Sequence, residues 1–64
     1  MSDTLLVQLN KLTLNTSLTP NEVKRLKQII KPGNLKAVQA GIRFLNEKAG
    51  NTVPTSAAVR EFYS

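Results

Sequence analysis

Residues 24–43, KRLKQIIKPGNLKAVQAGIR, contain six of the nine basic residues of the 64-residue chain and no acidic one. Apolar residues recur at helical spacing on both sides of Pro32-Gly33, a pair that interrupts helices and favours a turn. Because this turn is only about two to three residues long, the two helices must fold back on each other or cross at a steep angle. The stretch therefore predicts a helical hairpin with an aliphatic inside and a basic outside.

The first helix of the hairpin begins with a clear local signal. Thr19 stands at the N-cap position, Pro20 at the first helical position and Glu22 at the third. The Thr19 hydroxyl can accept from the amide of Glu22, while the Glu22 carboxylate can reach back to the amide of Thr19. We therefore predict a helix over about residues 20–31.

The second helix of the hairpin is predicted over about residues 34–48, with Asn34 as its cap and Gly50 just beyond its end. Phe44 falls outside the main apolar stripe of this helix, on a second face of small residues that includes Gly41. Two apolar faces predict either a central helix or a helix that offers one face to a partner.

The N-terminal segment allows two interpretations. Leu5, Leu9 and Leu12 share one helical face, and three candidate caps precede them, which favours a helix over about residues 3–13. The alternation of Leu5, Val7 and Leu9 is also typical of a strand, so that alternative stays open.

A short fourth helix is predicted near the C-terminal end, capped by Thr55 or Ser56. The predicted fold is therefore all-α: one domain over residues 1–64, with three main helices, a short C-terminal helix and a central hairpin, packed as a compact orthogonal or open bundle. The predicted core residues are Leu5, Leu9, Leu12, Val23, Leu26, Ile29, Leu35, Val38, Ile42, Leu45, Val59 and Phe62.

Composition argues against several classes of function. The chain has no cysteine and no histidine, which excludes disulfides, thiolate nucleophiles and imidazole bases. Its four carboxylates, Asp3, Glu22, Glu47 and Glu61, are scattered in sequence. We therefore expect no enzymatic activity, no metal site and no cofactor.

Length and hydropathy set further expectations. Apolar runs are far shorter than the roughly 18–20 residues that span a bilayer, and no secretory signal pattern opens the chain. We expect a cytoplasmic protein, or one of the host cytoplasm if a virus encodes it. A core this small could also be shared between copies, so a homo-oligomer is possible.

The basic residues carry the leading functional hypothesis, which is nucleic-acid binding by a regulatory or accessory protein. The formal net charge is +5, and Lys24, Lys27 and Lys31 share one helical face by their spacing. Lysines placed against phosphates release counterions and give salt-sensitive affinity. The predicted nucleic-acid-binding residues are Lys24, Lys27, Lys31, Lys36, Gln39, Arg43 and Arg60. The same charges are also compatible with an ordinary solvated surface.

Two alternatives remain open. The helix predicted over about residues 34–48 and a second helix over residues 55–60 could form a helix-turn-helix in which Arg60 contacts a guanine, although the first helix is long for that motif. The chain could instead be a protein-binding adaptor or inhibitor, such as a virus-encoded host-takeover or assembly factor, whose lysines steer it towards an acidic surface. The interface residues predicted for that partner are Ala40, Gly41, Phe44 and Tyr63.

Overall fold

The computed structural model describes residues 2–50 and 53–64. These residues form four α-helices and no strand, which confirms the all-α prediction. The helices are α1 (Ser2–Asn15), α2 (Pro20–Ile30), α3 (Leu35–Ala49) and α4 (Ser56–Tyr63). The three longer helices and the short C-terminal one were each predicted.

The α1 segment is a helix, which decides against the strand alternative. It begins at Ser2, so Asp3 and Thr4 lie in its first turn rather than before it. It also extends two residues beyond the predicted end at residue 13. The hydroxyl of Thr13 donates to the carbonyl oxygen of Leu9 at 2.8 Å, a bond within the helix that keeps this polar side chain compatible with helical backbone.

The ends of α2 and α3 follow the local signals. The Thr19 hydroxyl accepts from the Glu22 amide at 3.3 Å, and the Thr19 amide donates to Glu22 Oε1 at 2.8 Å, which completes the predicted capping box. The turn after α2 requires Gly33, whose φ of +66° is left-handed and disfavoured for other residues. Asn34 then caps α3 by accepting from the amides of Lys36 and Ala37.

Helix α3 lies at the centre of the bundle and packs against α1, α2 and α4. Seven of the predicted core residues are buried, and Leu5 and Leu12 pack against them while partly exposed. Val23 is also only partly buried. The buried members of the predicted core are Leu9, Leu26, Ile29, Val38, Ile42, Leu45 and Phe62.

Two core predictions are wrong. Leu35 is 53% exposed and Val59 is 37% exposed. Leu35 is the first residue of α3, next to the hairpin turn, where it remains uncovered. On α4, Ala58 and Phe62 are the buried residues, and Val59 lies about 100° around the helix from Ala58, away from the core.

The second face of α3 is filled by the chain itself. Phe44 is 3% exposed, and its ring stacks on that of Phe62 with centroids 4.2 Å apart and an interplanar angle of 2°. On the same helix Gly41 is buried beneath Leu9 of α1. The two apolar faces of α3 therefore mark a central helix.

A partly buried ion pair joins α2 to the end of α3. Lys48 Nζ contacts Glu22 Oε1, the carboxylate that also accepts from the Thr19 amide. Burial alone would raise the pKa of the Glu22 carboxyl, but the hydrogen bond and charge of Lys48, with the hydrogen bonds of Thr19, outweigh it. The pKa of Glu22 therefore lies below its ordinary value of 4.5.

This ion pair makes stability depend on pH in a predictable direction. Because the pKa of Glu22 is lower in the folded state, the unfolded state binds more protons below about pH 4.5, and the free energy of unfolding falls as the pH decreases through that range. At neutral pH, Glu22→Gln is expected to cost about 1–2 kcal/mol and to flatten the acid limb of stability measured by urea unfolding. Glu61→Gln, at a more exposed pair, should cost no more than about 1 kcal/mol. Equal effects of the two substitutions would contradict this account.

Candidate nucleic-acid interface

The predicted lysine face of α2 is on the surface. Lys24, Lys27 and Lys31 are all exposed, and they lie on the side of the hairpin opposite the buried Leu26 and Ile29. The ammonium group of none of the three makes a hydrogen bond or ion pair with any residue in the described part of the chain. Their charges are therefore available to an external anion.

On α3 the predicted residues divide into two kinds. Lys36 and Gln39 are exposed, and the Lys36 ammonium has no partner within residues 2–50 and 53–64. Arg43, by contrast, donates from Nη1 to Glu61 Oε1 at 3.0 Å, and its Nε lies 3.5 Å from Glu47 Oε2. Arg43 thus ties α3 to α4, and two carboxylates compensate its charge.

Arg60 is exposed on α4, on the side away from the buried Ala58 and Phe62. It too lacks an ion-pair partner among the residues described. Its neighbour Glu61 faces Arg43 instead. The helix-turn-helix interpretation of this region stays a prediction.

Arg25 is a structural residue that the sequence pattern did not single out. Its Nε donates to the carbonyl oxygen of Phe62 at 2.7 Å, and Nη2 donates to the main-chain oxygen of Ser64. Nη1 also contacts Gln28 Oε1 at 3.3 Å. A cation at the C-terminal end of a helix satisfies its free carbonyl groups and its dipole. No local signal could reveal this contact, since the acceptors are 37 and 39 residues away.

The charged side chains of the described residues therefore fall into two groups. One group forms contacts within the fold, and the other lies on the surface without a partner among the described residues. Glu22, Glu47 and Glu61 each form an ion pair with a basic residue of another turn or helix. Arg25 and the partners of these carboxylates, Arg43 and Lys48, act in tertiary contacts. The charged side-chain groups of the remaining basic residues form no hydrogen bond or ion pair with the described residues. These residues are Lys11, Lys24, Lys27, Lys31, Lys36 and Arg60.

An open groove of about 720 Å³ runs between α2 and α3. It brings Lys36, Gln39 and Arg43 together with Arg25 and Gln28, while Lys24, Lys27, Lys31 and Arg60 lie outside it. Apolar side chains from both helices also line it, and they are Ile29, Ala37 and Ala40. The hairpin turn and the end of α4 contribute the rest of the lining, which is Pro32, Asn34, Glu61 and Ser64. Apart from Arg60 on α4, the predicted residues thus occupy two surfaces, the groove and the outer face of α2, rather than one.

A smaller hollow of about 290 Å³ adjoins the groove, and Arg25 and Gln28 line both. Lys24 and Tyr63 face this second hollow together with Asn21. The sequence separates Lys24 from Tyr63 by most of the chain, so their proximity is a property of the fold.

The residues predicted for a protein partner are differently placed. Gly41 and Phe44 are buried among the helices, and Ala40 is partly buried in the groove. Tyr63 is exposed. The surface of α3 predicted to bind a protein partner is therefore largely covered by α1 and α4 of the same chain.

Within the described residues, no helix is both long and apolar enough to span a membrane, and no three acidic side chains converge to hold a metal ion. Comparisons with protein-family models, with curated proteins and with solved structures found no match for this chain. Function must therefore be inferred from the surface itself.

Proposed function

We propose that this chain is a small non-enzymatic nucleic-acid-binding protein of regulatory or accessory type. The observation that carries the proposal is the set of four lysines on the central hairpin whose charges no described residue compensates: Lys24, Lys27, Lys31 and Lys36. Each described glutamate forms an ion pair with Arg43 or Lys48, and none pairs with these four lysines. A phosphate backbone is the polyanion that such a surface favours.

The four lysines differ from Arg25 and Arg43 in a way that suits phosphate contacts. Each lysine is exposed on a flexible stem, so its ammonium group can adapt to the spacing of phosphates as a point charge. Arg25 and Arg43 are held by main-chain oxygens and carboxylates, respectively. We therefore assign the main phosphate contacts to the lysines, with Gln39, Arg43 and Arg60 in secondary roles.

Binding and its salt dependence test the proposal. The purified protein is expected to bind labelled DNA or RNA at about 50 mM salt and to lose affinity steeply towards about 200 mM, as followed by fluorescence anisotropy. Replacing the four lysines by glutamine should reduce the slope of log K against log salt by up to about 3.6 on duplexes and about 2.8 on single strands. Circular dichroism should show an unchanged fold, because the four positions are exposed.

A matched pair of single variants tests whether binding depends on the position of a positive charge or only on the net charge of the protein. Lys27→Gln and Lys11→Gln each remove one exposed, unpaired charge, but Lys11 lies on α1 outside the hairpin. Only Lys27→Gln should weaken binding appreciably. Absence of any affinity for DNA or RNA at about 50 mM salt would overturn the proposal. The lysines would then favour an acidic protein surface as the partner.

A further inference from the structure

The hollow beside the groove places the chain's one tyrosine among basic and amide side chains. Lys24, Arg25, Asn21, Gln28 and Tyr63 form its lining, and Tyr63 is 46% exposed. Lys24 has no ion-pair partner among the described residues. An aromatic ring beside an uncompensated cation is the pairing that single-strand-binding proteins use, with the ring for a base and the cation for a phosphate.

The Tyr63 ring is held in place. Its centroid lies 4.8 Å from that of Phe62 and 6.5 Å from that of Phe44, with interplanar angles of 77° and 76°. No aromatic ring within the described residues therefore stacks in parallel on Tyr63. Arg25 binds the main chain on both sides of Tyr63, at Phe62 and Ser64, and so restrains its backbone. A ring positioned in advance loses little freedom when a ligand stacks on it.

We infer that Tyr63 stacks on an unpaired base of a single-stranded nucleic acid whose adjacent phosphate contacts Lys24. The inference rests on the proposed function and specifies its ligand. In a duplex the base faces are already stacked on each other, so an exposed ring gains contact only with single strands or ends. Asn21 and Gln28, which share the hollow, offer amide groups to base edges or phosphates.

Intrinsic fluorescence offers a direct test, since the chain has one tyrosine and no tryptophan. Titration with a short oligothymidylate should quench the Tyr63 emission, after correction for absorption by the oligonucleotide. Inorganic polyphosphate, a polyanion without bases, should bind the lysines and leave the emission unchanged. A blunt duplex of the same length should quench much less at equal occupancy.

Variants of Tyr63 and Lys24 test the contributions of the ring and of the ammonium group separately. Tyr63→Leu is expected to weaken oligothymidylate binding by roughly 5- to 140-fold and to leave polyphosphate binding unchanged. Tyr63→Phe keeps the ring and should bind like the wild type. Lys24→Gln should weaken both ligands, because it removes a phosphate contact. Val59→Ala, an exposed substitution on the same helix outside both hollows, should change neither.

The outcomes distinguish this inference from the proposed function. Oligothymidylate binding without quenching, or with full affinity in Tyr63→Leu, would overturn the stacking role while leaving nucleic-acid binding in place. Duplex binding as tight as single-strand binding would also overturn it. Failure to bind any nucleic acid at about 50 mM salt would overturn both.

Discussion

Replacement of Phe62 by alanine is expected to cost about 3–5 kcal/mol of folding free energy, the range for truncating a buried aromatic side chain. Phe62 is fully buried, and its ring stacks on Phe44 at 4.2 Å. A domain of this length has a total stability of about 3–10 kcal/mol. A single core in a chain shorter than about 70–80 residues rarely supplies more than about 3–5 kcal/mol, which places this chain at the lower end of that range. We therefore expect the variant to be largely unfolded or close to its midpoint at 25 °C, as measured by circular dichroism and urea titration.

The control for this effect is Val59→Ala on the same helix. Val59 is 37% exposed, so its truncation removes little buried surface and should cost less than about 1 kcal/mol. A Phe62→Ala protein that unfolds at the wild-type urea concentration would show that α4 contributes little to the stability of the bundle. That result would also contradict the inference that α4 holds the Tyr63 ring in a fixed position.

Gly41→Leu tests the close contact of α1 with α3. A Cβ atom built at Gly41 lies 3.3 Å from Leu9 Cδ1 and 3.8 Å from Leu26 Cδ2, so a single added carbon is already tight. Leucine is a better helix former than glycine, so a net loss of stability cannot come from helix propensity and reports overpacking. We expect a net loss of about 1–3 kcal/mol in urea unfolding.

The matched comparison for Gly41→Leu is a double variant with Leu9→Ala. Leu9 is fully buried, so Leu9→Ala alone should cost about 2–5 kcal/mol. Because the new leucine side chain can occupy part of the space that Leu9 leaves, the double variant should lose about 1 kcal/mol less than the sum of the two. Strict additivity would mean that the two side chains do not compete for one volume.

Some basic residues stabilise the fold and others are available to a ligand, and this division connects stability with the proposed function. The two guanidinium groups nearest the groove, Arg25 and Arg43, hold α4 against the hairpin through Phe62, Ser64 and Glu61. Replacing either arginine would therefore affect the fold and any binding together. The exposed lysines can be changed without this ambiguity, which is why the binding predictions rest on them.

Part of the candidate surface could be predicted from the sequence. The exposed lysine face of α2 follows from helical spacing, because the apolar residues of an amphipathic helix face the core and leave the lysines outside. The pairing of Arg43 with Glu61 and the hollow around Tyr63 could not be predicted. Both join residues of different helices, and helical spacing carries no information about which helix packs where.

The contrast between local sequence signals and contacts between distant residues also applies to the fold as a whole. Helix ends are local: the capping box of Thr19 and Glu22, the cap at Asn34 and the left-handed Gly33 each depend on residues within one turn, so the amino-acid sequence alone specifies them. Which apolar face meets which helix is not local. Packing of α4 placed Phe44 inside the bundle and left Val59 outside, because burial depends on neighbours that are distant in the chain.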